Sequence, residues 1–392
     1  MNSPADITTF ANYFATLDAR TLPTDALQNA KACLLYGLAV GIGTRRARPA
    51  QLALAAAQRQ RESGKITRLI DGAHTSQGSA AFANAVLLSG RVQGDSHPCG
   101  HIGGVVIPAS LAAAEETHAS GAALLSGMVG GYESALRIGR DHAADLSERG
   151  FRTTPAYGVF GAAVATGRLR GFDGATMRNA IGLAANFAGG LREYVDAGTE
   201  ESPFQAGFAA RNGVYVADLA HSGLRATPTA LTGNAGFYRA FARKNVDYSK
   251  RLTEKLGENF EFTTVTWKQY PACQFLRGLI RGLSELRKDA GDANVKTIAT
   301  RMNPYEANFI GVRFTGPFES PAQTVMSAPF CSALAWTTGS ASFDGLRKFD
   351  DAAVNALVPK INIITDPSRA RYEPHITVQL DNGRTLEWAE TA

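Results

Sequence analysis

Two histidines, an acid and a thiol fall together at Gly94-Asp95-Ser96-His97-Pro98-Cys99-Gly100-His101. The Gly and Pro residues force a loop. A histidine in a loop, close to an acid, can be poised near neutral pH and exchange protons with a substrate. Either His97 or His101 could be that base. The same stretch could be read as a metal site built from Asp95, His97, Cys99 and His101. Against this, Pro98 and Gly100 deny helical i, i+4 geometry, and no second ligand cluster exists elsewhere in the sequence. The plain alternative is a polar turn with one hydrogen-bonded histidine.

Two further segments carry candidate chemistry. In Trp267-Lys268-Gln269-Tyr270-Pro271-Ala272-Cys273, a lysine precedes a Tyr-Pro bend, and a helix with Arg277 and Arg281 follows. A lysine at an interdomain cleft suits an anionic substrate, although most single lysines are simply solvated. From Gly198 to Gly213, Ser202-Pro203 reads as a helix start and small residues lead to Arg211. A helix N-terminus favours an anion; the plain reading is a capped helix. There is no GxGxxG after a strand, no GxxxxGK[ST], no GxSxG and no HExxH. Nucleotide-dependent redox, phosphoryl transfer and the common serine hydrolases thereby lose their sequence support.

The elements that must position these residues are of two kinds. Ile7, Phe10, Phe14 and Leu17 recur at helical spacing, and residues 26–41 are apolar almost all round, as in a buried helix. Ala- and Gly-rich helical segments follow at 49–61, 78–89, 108–118, 121–138, 156–168, 174–188 and 204–222. Near residue 260 the pattern changes. Short β-branched runs at 294–302, 308–316, 358–366 and 375–380 read as strands, and Asp381-Asn382-Gly383 as a hairpin turn before 384–388. Helical stretches at 271–288 and 320–337 lie between them. The expected organisation is mainly α with an α+β lid: an all-helical domain over 1–260 and a smaller α+β domain over 261–392.

Composition narrows the class of partner. The chain has 392 residues, 45% hydrophobic and 19% charged, enough apolar matter for a large core. Of 40 basic residues 10 are Lys and therefore 30 are Arg, against 35 acids, giving a net charge of +5. Arg grips carboxylate or phosphate bidentately and keeps its charge near neutrality. Only Arg45, Arg46 and Arg48 form a tight cluster. Small anionic partners are therefore expected, not nucleic acid. Four widely spaced cysteines without a CxxC fit a reducing compartment. No signal peptide and no membrane span is expected, and the cytoplasm is the expected location.

Taken together and in order, these segments resemble the MmgE/PrpD family, which includes dehydratases, decarboxylases and epimerases of small carboxylic acids. The resemblance is carried by Asp95-Ser96-His97 with His101, and by Pro108-Ala109-Ser110-Leu111-Ala112. It continues through Gly131-Tyr132-Glu133, Gly158–Ala163, Ala209–Gly213 and Gly233–Phe237. Its most specific part is Lys268-x-Tyr270-Pro271-x-Cys273. It implies a large helical domain, a smaller α+β lid, an active site between them, a homodimer, and chemistry without metal or organic cofactor.

The resemblance also implies roles. His101 is the general base, and Lys268 stabilises an enolate-like carboxylate. Tyr305 or Asp95 exchanges protons with the leaving group, and Ser96 and His97 complete the loop. Beyond what the resemblance implies, Arg152, Arg192 or Arg211 is the candidate to hold a remote carboxylate, the plain alternative for each being surface or core pairing. The sequence departs from the family pattern at several places: Ser202 stands where a lysine is expected, Cys273 where a histidine is, and Arg152 replaces the histidine in Gly150-Phe151-Arg152-Thr153-Thr154. The first loop Asp is replaced by Val92 or Arg91. Losing a positioned acid/base group costs about 10²–10⁴ in rate, so substrate or reaction could differ. The expected activity is a cofactor-independent, dehydratase-like lyase acting on a small di- or tricarboxylate. The alternatives are an isomerase or epimerase using the same proton abstraction, and a polycarboxylate-binding protein without catalysis.

Overall fold

The computed structural model describes residues 7–242 and 249–390. They divide into two compact units. One comprises the chain up to Arg192 together with Glu201–Trp267; the other comprises Glu193–Glu200 together with the chain from Lys268 onward. No helix among the described residues is long and apolar enough to cross a membrane.

The first unit is helical. Its principal helices are Thr8–Thr16, Thr24–Thr44, Arg48–Gln60, Gln77–Ser89, Gly103–Glu116, Gly121–Gly139, Thr153–Leu169, Gly174–Ala184 and Ser202–His221. The stripe expected on the first helix is its core face: Ile7, Phe10, Phe14 and Leu17 are all buried. Local chemistry sets several helix starts. Ser76, Ser120 and Asp173 accept the N–H groups of Ser79, Ala123 and Thr176, which satisfies donors that a helix N-terminus leaves open. Small residues let backbones touch. A Cβ on Gly131 would lie 2.7 Å from the Gly161 carbonyl oxygen, and one on Gly161 would lie 2.6 Å from that of Gly131. The 121–139 and 153–169 helices therefore cross at a point where neither tolerates a side chain.

The helix expected at 108–118 begins earlier, at Gly103, and carries Pro108 inside it. Gly103-Gly104 reads as a breaker in the sequence. In the fold, the Asp95 carboxylate accepts the Gly103 N–H, at 3.1 and 3.2 Å to its two oxygens. This fixes the start by a tertiary cap that no local pattern encodes. Two short ladders complete this unit. β1 (Ile66–Thr67) pairs with β2 (His74–Thr75), and β3 (Asp95–Ser96) pairs with β4 (Thr266–Trp267), both antiparallel.

The second unit holds a four-stranded mixed sheet. Its strands are β5 (Val295–Met302), β6 (Ile361–Thr365), β7 (His375–Leu380) and β8 (Thr385–Ala389), in the order β6-β5-β7-β8. β5 runs parallel to β6 and antiparallel to β7. Val295, Ile298, Thr300 and Met302 alternate inward on β5, as do Ile376, Val378 and Leu380 on β7. The expected hairpin turn is present, with Gly383 at φ +86°. Helices Arg277–Ala290 and Ala328–Thr338 pack on the sheet.

The strand expected at 308–316 does not form. Asn303 caps the short helix Pro304–Ala307, and Gly311 and Gly316 adopt positive φ, so the extended run is broken twice. Its carbonyls are used elsewhere. Val312 accepts the Ala328 N–H at 2.9 Å and Phe314 accepts the Ser327 hydroxyl at 2.6 Å. The segment thus serves the start of the 328–338 helix instead of a sheet.

Filling the glycine crossing overpacks the core, which typically costs about 1–3 kcal/mol. Gly131→Ala is expected to lower the unfolding free energy by that amount, seen as a lower urea midpoint at unchanged slope. Gly121→Ala, where nothing lies within 4 Å of the added methyl, is the matched control and should lose nothing.

Candidate functional site

The loop that carries the two histidines is anchored at its N-terminal end by backbone pairing. Asp95 pairs with Trp267 and Ser96 with Thr266, and the Thr266 hydroxyl donates to the Ser96 carbonyl at 3.2 Å. Both Asp95 and Ser96 are buried. The next residues form a tight turn in which the His97 and Gly100 main chains exchange hydrogen bonds at 3.1 and 2.8 Å. Gly100 has φ +121°, and a Cβ there would come within 2.8 Å of the Thr154 hydroxyl. The turn closes only with glycine at that position.

Within this turn the two histidines differ. The His97 Nδ1 accepts the Cys99 N–H at 3.1 Å, and burial lowers the His97 pKa to about 4. Its ring is thus spent on the turn. The His101 N–H donates to the Thr154 hydroxyl at 3.0 Å, and its Nδ1 lies 2.6 Å from the Asp95 carbonyl oxygen. A carbonyl can only accept, so Nδ1 carries the proton and the lone pair of the neutral ring resides on Nε2. Asp95 therefore orients His101 through its main chain. Its carboxylate turns the other way, onto Gly103. There it lies next to the Tyr132 hydroxyl, whose pKa is well above the ordinary value, through burial first and the Asp95 charge second. Burial, then the same charge, lifts the nearby Cys33 thiol to about 12.

The start of the 153–169 helix brings further candidates to the same region. The Arg152 N–H donates to the Gly190 carbonyl and the Arg192 N–H to that of Gly150, both at 2.9 Å. The Arg152 guanidinium donates to the main-chain carbonyl of Ser202, the first residue of the 202–221 helix, and lies 3.5 Å from the Gln205 side-chain oxygen. The Arg192 guanidinium donates to the Ser147 carbonyl at 3.2 Å. His101, Arg152 and Ser202 are thus joined through residues 152–154. Arg211 is not among them. It is exposed, beside Glu62, whose carboxylate accepts the Ser76 and Ser79 hydroxyls. Among the described residues no three His, Cys, Asp or Glu side chains converge as a metal site would require; Cys99 instead points its thiol at the Leu136 carbonyl.

The remaining candidates belong to the second unit. Lys268 is buried and is the next residue after Trp267, the ladder partner of Asp95. Cys273 is buried near Cys331, and its N–H donates to the Val325 carbonyl at 2.8 Å. Tyr305 is half exposed, and the Arg371 guanidinium lies 4.4 Å from its ring centroid. Sequence reasoning did not single out Arg371, because it sits in a turn without a motif.

The sequence marks Glu133 only as part of Gly131-Tyr132-Glu133 and gives no role to Arg137; the two form a buried i, i+4 pair on the 121–139 helix, 2.5 Å apart. Glu133 also accepts the Phe262 N–H at 3.0 Å. Arg137 donates to the carbonyls of Leu252, Glu254, Lys255 and Asn259. The pair thereby fastens the stretch that leads into β4. The sequence signal for the pairing was its i, i+4 spacing on an otherwise small-residue helix.

Arg137→Met would leave the Glu133 charge buried and unpaired, which is expected to cost about 3–5 kcal/mol in urea unfolding. A second expectation concerns pH. Burial pushes both His97 and His142 down to about 4. Between about 6.5 and about 4 the unfolded chain binds protons at these rings that the native chain refuses. Their stabilisation is complete above about 6.5 and is lost as pH falls, by at most about 1.4 kcal/mol per pH unit for each ring. His142 is ringed by Tyr157, Phe237 and Tyr238. His142→Phe should therefore flatten the fall in stability between pH 7 and 4.5, and an unchanged slope would contradict this account.

Comparison with known proteins finds relatives over most of the chain. The cis-aconitate decarboxylase-like protein oryM of Aspergillus oryzae is 26% identical over 407 residues, covering 96% of this chain and 84% of its own length. A cis-aconitate decarboxylase of Aspergillus terreus is 26% identical over 370 residues, covering 88% of this chain and 74% of its own. The human cis-aconitate decarboxylase is 29% identical over 203 residues, 49% of this chain and 41% of its own length. The family model for the MmgE/PrpD N-terminal domain matches residues 8–249, which include the histidine loop, the Arg152 segment and the Ser202 helix, and the chain belongs to the MmgE/PrpD family.

Proposed function

We propose that this protein is a lyase that removes carbon dioxide from a small tricarboxylate of the cis-aconitate type, using proton transfer at a carbon next to a carboxylate. The observation that carries the reading is the arrangement of His101. Its Nδ1–H is held by the Asp95 carbonyl, so the lone pair of the neutral ring lies on Nε2, the nitrogen that exchanges the proton in this reading. The relatives named as cis-aconitate decarboxylases or as cis-aconitate decarboxylase-like support the substrate class.

In the proposed reaction the protonated His101 ring delivers its Nε2 proton to carbon as the bond to the departing carboxylate breaks. The electron pair of that bond moves into the shifted double bond, and carbon dioxide leaves. Each turnover consumes one proton, which water restores to His101. Negative charge builds on a remaining carboxylate, where a fixed cation stabilises it. Lys268, one residue beyond the pairing of Trp267 with Asp95, is proposed for that role. Arg152 would hold a further carboxylate. Its charge does not titrate, so it would anchor the substrate without moving protons. The Asp95 carboxylate is engaged by Gly103 and takes no part in this proton transfer.

The test is carbon dioxide release, followed by NMR, from a panel of unsaturated tri- and dicarboxylates. His101→Ala is expected to lower kcat by about 10²–10⁴ with an unchanged melting temperature. Absence of carbon dioxide from every acid would refute the reading. Deuterium uptake from solvent without loss of carbon dioxide would establish an isomerase instead.

A further inference from the structure

Arg371 lies in the turn between β6 and β7, and its surroundings in the second unit are unusual for a surface arginine. Its Nε donates to Glu306 Oε1 at 3.1 Å, and the Tyr372 N–H donates to the same oxygen at 2.9 Å. Tyr372 has φ +66°, a left-handed backbone that a bulky residue rarely adopts. That conformation lets two neighbouring donors reach one carboxylate. The guanidinium carbon is 4.4 Å from the Tyr305 ring centroid and 5.2 Å from those of Phe275 and Tyr372. Tyr305 and Phe275 also meet edge to face. Phe275 follows two residues after Cys273, and Tyr305 belongs to the Asn-Pro-Tyr segment. Two chain segments already singled out for chemistry therefore meet at this one cation.

The ordinary role of such an arginine is to neutralise a buried acid. Glu306 needs a counterion, since its side chain is 1% exposed, but Arg371 is 42% exposed and spends only Nε on it. Nη2 has a long 3.5 Å approach to the Tyr372 hydroxyl, and Nη1 has no protein hydrogen-bond partner among the described residues. What remains is a flat, permanently charged fork, fixed by aromatic rings and presenting its terminal nitrogens outward. That geometry matches a carboxylate. We infer that Arg371, beside Tyr305 in the second unit, forms a site for a carboxylate of a polycarboxylate ligand, one that a tricarboxylate such as citrate engages more strongly than a dicarboxylate. The inference rests on the tricarboxylate reading above.

The experiment measures binding of citrate and of succinate by calorimetry to the full chain, alongside turnover. The variants are Arg371→Gln, Arg371→Lys and the double variant Glu306→Gln/Arg371→Gln. Arg371→Gln is expected to weaken citrate by about 10–150-fold, the loss of one charge-assisted contact, and succinate far less. Arg371→Lys should recover part of the citrate affinity, because it keeps the charge without the fork. The double variant removes the unpaired buried acid, so its melting temperature should return toward wild type while citrate binding stays weak. Citrate binding restored in the double variant would assign Arg371 a purely structural role and overturn the inference. Equal weakening of both acids would overturn it too. If wild type turns over a tricarboxylate and Arg371→Gln leaves citrate affinity unchanged, this inference fails and the lyase reading stands. If wild type neither binds nor turns over any polycarboxylate, both fail.

Discussion

The buried ion pair between Glu133 and Arg137 is the constraint on which the position of the candidate site depends. Both side chains are almost fully buried, and together they take one N–H and four carbonyls from the stretch between Leu252 and Phe262. Replacing a buried pair by apolar residues is often neutral in stability, so the pair is poorly explained as a source of stability alone. Its effect is to fix position. An irregular stretch without a long helix or strand of its own is fastened to the 121–139 helix at five main-chain groups. Only then does the chain enter β4 in the register that sets Trp267 against Asp95. Lys268 follows at the next residue.

From that ladder the chemistry divides between the two ends of one residue. The Asp95 carbonyl takes the His101 Nδ1 proton and its carboxylate takes the Gly103 N–H, where a helix N-terminus favours a negative charge. The same residue therefore starts a helix and sets a histidine tautomer. A carboxylate directly on the imidazole would raise the basicity of the ring, whereas a carbonyl orients it with less electrostatic pull. Thr154 completes the arrangement by accepting the His101 main-chain N–H, and the glycine at position 100 is what lets the two segments approach.

Much of this could be read from sequence, and the failures have physical causes. The helical first part was legible because its apolar residues repeat at helical spacing. Three of the four sheet strands and the Asp381–Gly383 turn were legible because they alternate and end in turn residues. The run at 308–316 alternates equally well. It fails as a strand because two positive-φ glycines and the demand of the 328–338 helix for acceptors outweigh its β propensity. For the candidate site, residue types and order singled out the loop, Lys268 and the Arg152 segment as candidates. Sequence could not choose between His97 and His101, because the difference is which ring nitrogen meets an N–H and which meets a carbonyl. Arg371 was invisible for a similar reason: its meaning comes from rings that lie far from it along the chain.

The departures from the family pattern then acquire a common sense. Where the resemblance leads one to expect lysine and histidine, the chain has Ser202 and Cys273, and where a second histidine is expected it has Arg152. Ser202 meets Arg152 directly, by lending its main-chain carbonyl to the guanidinium. A neutral residue at that position removes a like charge from beside the arginine, so the two changes suit each other: a lysine there would repel what the Arg152 substitution introduces. The exchange trades groups that can titrate for one that cannot. The His101 ring, by contrast, is a titratable type of group, and the Asp95 carbonyl fixes its orientation.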